Sequence, residues 1–284
     1  MKIETLRKKD FPPLLKEIND PPAEMRIVGS LPETEKYLCV VGSRKYSEYG
    51  KSVCEKLIAG LAGYPITIVS GLALGMDAIA HRSALSAGLP TIAVPGSGLS
   101  EKVLYPSTNH GLAREIVEEG GALLSEFDDN FIATPWSFPQ RNRIMAGMSH
   151  ATLVIEAELK SGTLITSKYA IEYNRDVFTI PHSIFSKTSE GPHMLLRLGA
   201  TPITDSADIV AGLGLKPIEN LFEKRDYSDC SNDELEIIDM LSEPLSRDEI
   251  IRRLEKPIFV TQTILATLEI KGLIGEHMGE IHLA

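Results

Sequence analysis

The side chains best suited to chemistry in this sequence are guanidinium groups set at the starts of helical patterns. Arg44 follows the apolar run YLCVV within Gly42-Ser43-Arg44, and Arg141-Asn142-Arg143 stands at the head of an expected short helix. After the triplet comes an apolar run, Thr152 to Ile155, then a loop from Glu156 to Gly162, and a second helix opens near Thr163. Guanidinium forks match phosphate geometry, and backbone N–H groups at a helix start add partial positive charge, so the combination suits an anionic ligand. The competing reading is that Arg141 and Arg143 are solvated charges or partners for local carboxylates. Hydrolytic chemistry is not indicated, because the turn SGTLITS has no carboxylate in the helical turn that follows it and no acid/base pair is evident.

These residues sit in a repeated grammar. A run of four to six β-prone apolar residues ends in a glycine-containing loop, and a helical pattern follows. YLCVV, ITIVS, TIAVP, ALLSEF, TLVIE and DVFTI are the runs. Strands alternating with helices at this spacing predict βαβ units, an α/β fold with an extended Rossmann-like parallel sheet and helices on both faces. Ligands of such sheets bind beyond the carboxyl ends of the strands. Those ends carry Gly42, Ser43, Ser70, Gly71, Gly96, Gly98, Ser161, Gly162 and Thr163, where glycine allows backbone to approach a ligand and βα turns also use it for their own sake. Neither GxGxxG nor GxxxxGK[ST] is present, so no nicotinamide or ATP cofactor is expected.

The boundaries are set by composition. Residues 1–36, with Pro12, Pro13, Pro21, Pro22 and Pro32, are expected to be a lead-in holding at most short helices (Leu14 to Ile18), with no core of their own. Residues 37–208 form the Rossmann-like domain, 209–230 a linker, and 231–284 a small domain. Three amphipathic helices (Glu234–Leu241, Ser246–Leu254, Thr261–Lys271) and a hairpin around Gly279 give that last unit a winged-helix plan, with Ser246 and Glu249 as a capping box. It holds five Lys/Arg against eleven Asp/Glu, a net of −6, the wrong balance for a helix lying in a major groove. A protein-contact role is expected instead. The whole chain carries a net charge of −10, so any binding to nucleic acid must come from a local basic patch. Cys39, Cys54 and Cys230 have no metal-ligand spacing and are expected to be reduced thiols. No apolar run approaches a membrane span and the start lacks a signal-peptide core, which points to a cytoplasmic protein without membrane contact.

Eight ordered blocks carry a resemblance: VVGSRKYSEYG, IVSGLALGMDAIAHRSAL, TIAVPGSG, LYPSTN, GALLSEF, FPQRNRIMAGMS, LKSGTLITSKYAIEYNRDVFTIP and GPHMLLRLGATPI. Over about residues 10–205 the chain resembles the bacterial DNA-processing protein A family (DprA, also called Smf). The resemblance implies a homodimer that binds single-stranded DNA in a basic pocket and hands it to the RecA recombinase in natural transformation and competence. It places Gly42, Ser43 and Arg44 with Arg141, Asn142 and Arg143 on the family's pocket motifs, and Phe138, Ser161, Gly162 and Thr163 on the same wall. An aromatic such as Phe138 could stack a base. Lys160 and Lys168 are expected to be solvated. The chain departs from the family in lacking a basic residue between Asp128 and Gln140, in His182 and His193, and in having no counterpart of the small helical domain often found at the amino terminus. Rossmann-like nucleotide phosphoribohydrolases share the glycine-rich strand ends and are the alternative class.

Overall fold

The computed structural model describes residues 2–217, 227, 229–241, 243–254, 256–277 and 279–283. The chain divides into two compact units, Met1–Ile218 and Glu219–Ala284. Among the described residues the first unit has a nine-stranded sheet. Its parallel part consists of β3 (Lys36–Val41), β4 (Ile66–Ser70), β5 (Thr91–Ala93), β6 (Ala122–Ser125), β7 (Ala151–Val154), β8 (Asp176–Thr179) and β9 (Thr201–Pro202). With β1 (Glu4–Arg7) and β2 (Glu24–Gly29) at one edge, the spatial order is β1-β2-β6-β5-β4-β3-β7-β8-β9.

Period-two alternation sends successive side chains to opposite faces. Cys39 and Val41 pack on one face with α1 (Pro13–Glu17), α5 (Ser137–Met148) and α6 (Thr163–Glu172) through Leu15, Ile144, Met145 and Ala170. Leu38 and Val40 pack on the other with α2 (Glu48–Ala59) and α3 (Met76–Ser86) through Leu57, Ile58, Met76 and Ala80. Helix α4 (His110–Glu118) covers β2, β5 and β6 with Leu112 and Ile116, and α7 (Glu190–Arg197) adds Leu195 to the first face. The helices on both faces and the mostly parallel sheet are those expected of the Rossmann-like class.

Two boundaries differ from expectation. The lead-in is part of the sheet: β1 (Glu4–Arg7) and β2 (Glu24–Gly29) run antiparallel to one another, and β2 pairs antiparallel with β6. Met25, Ile27 and Val28 are buried there, so the prolines of residues 12–22 mark the connection between two strands and not an absence of strands. The start of the predicted linker is structured too. Helix α8 (Ser206–Gly212) has an Asp205–Asp208 capping box and buries Ile209, Val210 and Leu213 in the first unit's core. The remainder of that linker lies largely outside the described residues.

The second unit holds α9 (Asn232–Met240), β10 (Leu245–Ser246), α10 (Arg247–Leu254), α11 (Ile258–Ile270), β11 (Ile274–His277) and β12 (Glu280–Leu283), with a core of Ile237, Ile250, Leu265, Leu268 and Ile281. The expected helices and hairpin are present, with β10 pairing β12 in addition. Half of the expected capping box forms, Glu249 N–H to Ser246 Oγ at 3.3 Å, while the Glu249 carboxylate accepts from Arg253 Nε at 2.8 Å. No helix among the described residues is long and apolar enough to cross a membrane.

Candidate functional site

The chain winds from β3 outward through β4, β5 and β6, then returns to lay β7 on the opposite side of β3. At such a switch point the two βα loops diverge and leave a crevice beyond the strand ends. A cleft of about 450 Å³ opens there, between the loop after β3, the loop after β4, the first turns of α5 and the loop into α6.

The loop after β3 brings Gly42, Ser43, Arg44 and Lys45 to the rim. Ser43 Oγ accepts from Lys45 N–H (3.1 Å), and its carbonyl accepts from Met76 N–H (3.1 Å). Gly75 has φ of +81°, and a side chain there would press on the Ser43 and Arg44 carbonyls. Gly42 has a packing duty: a Cβ would stand 2.5 Å from Met76 Cγ, so its glycine lets α3 close on β3. Arg44 projects outward, exposed, with Cζ 5.3 Å from the Phe138 ring centroid. Phe138 is half-buried and meets the exposed Tyr105 ring at 5.7 Å.

Arg141 forms the cleft's inner wall and is only 4% exposed. Its Nη1 donates to the Val94 carbonyl, and its Nε has no partner. The guanidinium occupies the space a side chain on Gly71 would need, so Gly71 acts by leaving room and does not itself line the cleft. Asp77 faces the same space: burial pushes its carboxyl above the ordinary range, and the neighbouring Arg141 opposes that shift. The loop between them is held in tension. Leu72 has φ of +58°, an unfavourable conformation for a branched side chain, and Asn109 Nδ2 fixes its carbonyl at 2.8 Å.

The third wall is cross-tied. Asn142 Nδ2 donates to the Gly162 carbonyl (3.3 Å), Thr163 Oγ1 to the Gly42 carbonyl (3.0 Å) and Ser161 Oγ to Thr163 Oγ1 (2.9 Å). The N–H groups of Thr163, Leu164 and Ile165 bond to Ser161 Oγ, the Ser161 carbonyl and the Gly162 carbonyl, so these amides are not open to an anion as the sequence suggested. Lys160 is exposed, as expected, and also lines the cleft, as does Glu158.

Arg143 is the clear correction. One helical step beyond the cleft wall, it turns inward, pairs with the buried Glu126 and with Asp20 at 3.4 Å, and donates to the Asp20 carbonyl at 2.7 Å. At 100° per residue, Arg141 and Arg143 cannot share a face. The carboxylate-partner alternative holds for Arg143.

Sequence reasoning passed over two carboxylates. Asp77 gave a signal only as an acid in the first turn of α3. Glu156 ends the β7 run, is fully buried, and accepts from Ser47 N–H (2.9 Å), Ser47 Oγ (2.6 Å) and Thr188 Oγ1 (2.9 Å). It thereby ties the start of α2 to the loop after β8.

Comparison with known proteins gives concordant results. The family model for DNA recombination-mediator protein A matches residues 2–214. Protein Smf of Escherichia coli is 36% identical over 93% of this chain and 72% of its own. DNA processing protein DprA of Streptococcus pneumoniae is 41% identical over 71% of this chain and 70% of its own, whereas the chain spans 53% of Protein Smf from Synechocystis. The X-ray structure of the Streptococcus pneumoniae protein superposes with a TM-score of 0.67 at 39% identity over 74% of each chain. That of DNA processing protein A from Helicobacter pylori, described for its single-stranded DNA binding mode, gives 0.67 at 30% identity over 75% of this chain and 96% of its own.

Proposed function

Because the chain belongs to the DNA recombination-mediator protein A family, we propose that its switch-point cleft binds single-stranded DNA without chemical change. The observation that carries this reading is the exposed Arg44 guanidinium set over Phe138, with the buried Arg141 behind it and Lys45 and Lys160 at the rim. Guanidinium and ammonium groups hold consecutive phosphates, and Phe138 with Tyr105 offers ring faces to unstacked bases. Double-stranded DNA keeps its bases stacked inside and cannot use those rings. Such a site reads backbone and π-faces, so little sequence preference is expected.

A hydrolytic role has weaker support. Asp77 is enclosed with Arg141, and Glu158 precedes the Ser161-Gly162-Thr163 turn, so the helical turn after it offers no carboxylate to activate water. Incubation with nucleoside monophosphates should release no free base. Turnover would favour the phosphoribohydrolase class.

The physiological role proposed is delivery of the bound strand to the RecA recombinase, as a homodimer whose two clefts engage one strand and gain avidity. The test is a titration with single- and double-stranded DNA across a salt series. Arg44→Ala should weaken single-strand binding and reduce the salt slope by about 0.7, the release expected for one phosphate contact on a single strand. An unchanged slope and affinity would remove Arg44 from the interface.

A further inference from the structure

The loop that leads into α5 carries the chain's only tryptophan, and its indole is 55% exposed. Phe127 and Phe131 stack on one another with centroids 4.5 Å apart, and each meets Trp136 in a T-shaped contact, at 5.8 and 5.5 Å. Two rings thus hold up a third that stays in solvent. If burial alone shaped the cluster, the largest ring would be its most covered member.

The support is stiff. Gly98 N–H donates to the Phe131 carbonyl and Ser100 N–H to the Asp129 carbonyl, both at 2.9 Å. Ser137 Oγ donates to the Gly96 carbonyl (2.6 Å) and accepts from Thr134 N–H (3.0 Å). The loop is therefore fastened to the end of β5 on both sides of the indole. A ligand meeting Trp136 would pay little to order it.

The position continues the cleft. Trp136 stands two residues before Phe138, at the start of the same helix. Phe127 lies two residues beyond β6, three strand spacings from β3, or roughly 15 Å at ~4.8 Å each. A strand seated at Arg44 and Phe138 would reach this cluster within a few nucleotides. The nearby carboxylates Glu126 and Asp129 are engaged, with Arg143 and with Arg26 at 3.3 Å, and Asp128 is exposed, so this part of the surface has no use for a phosphate. It suits a neutral ring.

We propose that Trp136, braced by Phe127 and Phe131, is a second base-stacking platform for a single strand of DNA whose first contacts lie in the cleft. The inference rests on the reading that the cleft binds single-stranded DNA, and it extends the footprint toward the β6 side of the sheet.

A sole tryptophan lets indole emission report on this one position. The full chain, Trp136→Ala, Trp136→Phe and Arg44→Ala would each be titrated with oligothymidylates of increasing length at low and high salt. A short oligomer that fills only the cleft should bind wild type and Trp136→Ala equally and leave the emission unchanged. A longer one should quench the emission and bind Trp136→Ala about tenfold more weakly, with the same salt slope as wild type, because stacking releases no counterion. Trp136→Phe, which keeps a ring, should recover most of that loss. Arg44→Ala should weaken both lengths. If long oligomers bind wild type tightly without quenching, or bind Trp136→Ala as well as wild type, the platform is refuted and the cleft reading survives. If no oligomer binds wild type, both fall together.

Discussion

Arginines that look alike in the chain have opposite duties, and substitution should separate them. Arg44 is exposed and makes no ion pair among the described residues, so Arg44→Ala should leave the melting temperature nearly unchanged while DNA affinity falls. Arg143→Ala would leave Glu126 as a buried carboxylate without its partner, at a cost of about 3–5 kcal/mol. Calorimetry should show that loss, and the folded fraction should keep the wild-type salt slope. A salt slope that falls in Arg143→Ala would return this residue to the DNA interface. His81 predicts a pH effect. It is fully buried, and Thr91 Oγ1, whose own proton goes to the Ile68 carbonyl at 2.9 Å, accepts from His81 Nδ1 at 2.7 Å. Nε2 has no partner. Burial, with Arg141 nearby, lowers the imidazole's pKa to about 3, so the folded state holds it neutral while the unfolded chain takes up a proton near pH 6.5. The unfolded state then binds more protons between those values, so stability is complete above about pH 7 and falls as pH drops. At pH 5 the loss from this group is about 2 kcal/mol. Urea midpoints of wild type and His81→Gln between pH 7.5 and 5 should converge toward acid. Parallel curves would show that His81 contributes nothing to the slope.

At the scale of elements, the cleft depends on loops tied to one another more than on any single helix. Thr163 binds the Gly42 carbonyl, Asn142 binds the Gly162 carbonyl, and Glu156 joins α2 to the loop after β8. Gly71 tests how closely the loop after β4 is fitted to Arg141. In Gly71→Ala the new methyl would displace the guanidinium, with an overpacking cost of about 1–3 kcal/mol. Weakened single-strand binding with a modest drop in melting temperature is expected, and full affinity would show that the position of Arg141 is unimportant for the ligand. The sheet and its helices were legible in the sequence because apolar runs ending in glycine repeat along it. The strands β1 and β2 were not, because four prolines in residues 12–22 suggested irregular chain while the alternation in EMRIVG spans only six residues. Helix α8 was hidden in the same way by Gly212 at its end and by Gly214 and Pro217 beyond it.

For the whole molecule, the two units carry charge differently. Within residues 231–284 each of the five basic residues pairs with a carboxylate: Arg247 with Glu269 and Glu276, Arg252 and Arg253 with Glu249, Lys256 with Asp233, and Lys271 with Glu234. Phosphates would have to compete for cations already neutralised, within a stretch, residues 231–284, of net −6. A chain ending at residue 217 should therefore keep the single-strand affinity and salt slope of the full chain. A large loss in both would give the second unit a direct part in binding DNA.

The sequence by itself determined the α/β class, the strand ends where a ligand would meet the chain, and the family, because these depend on local periodicity and on ordered motifs. Only the tertiary structure decided what each charged group faces. Arg141 turns toward Gly71 and the cleft, Arg143 toward Glu126 and Asp20, and Trp136 rests on Phe127 and Phe131. Those outcomes depend on helix phase and on how the loops close in space, and in the case of Arg143 and Asp20 on a partner 123 residues away in the chain.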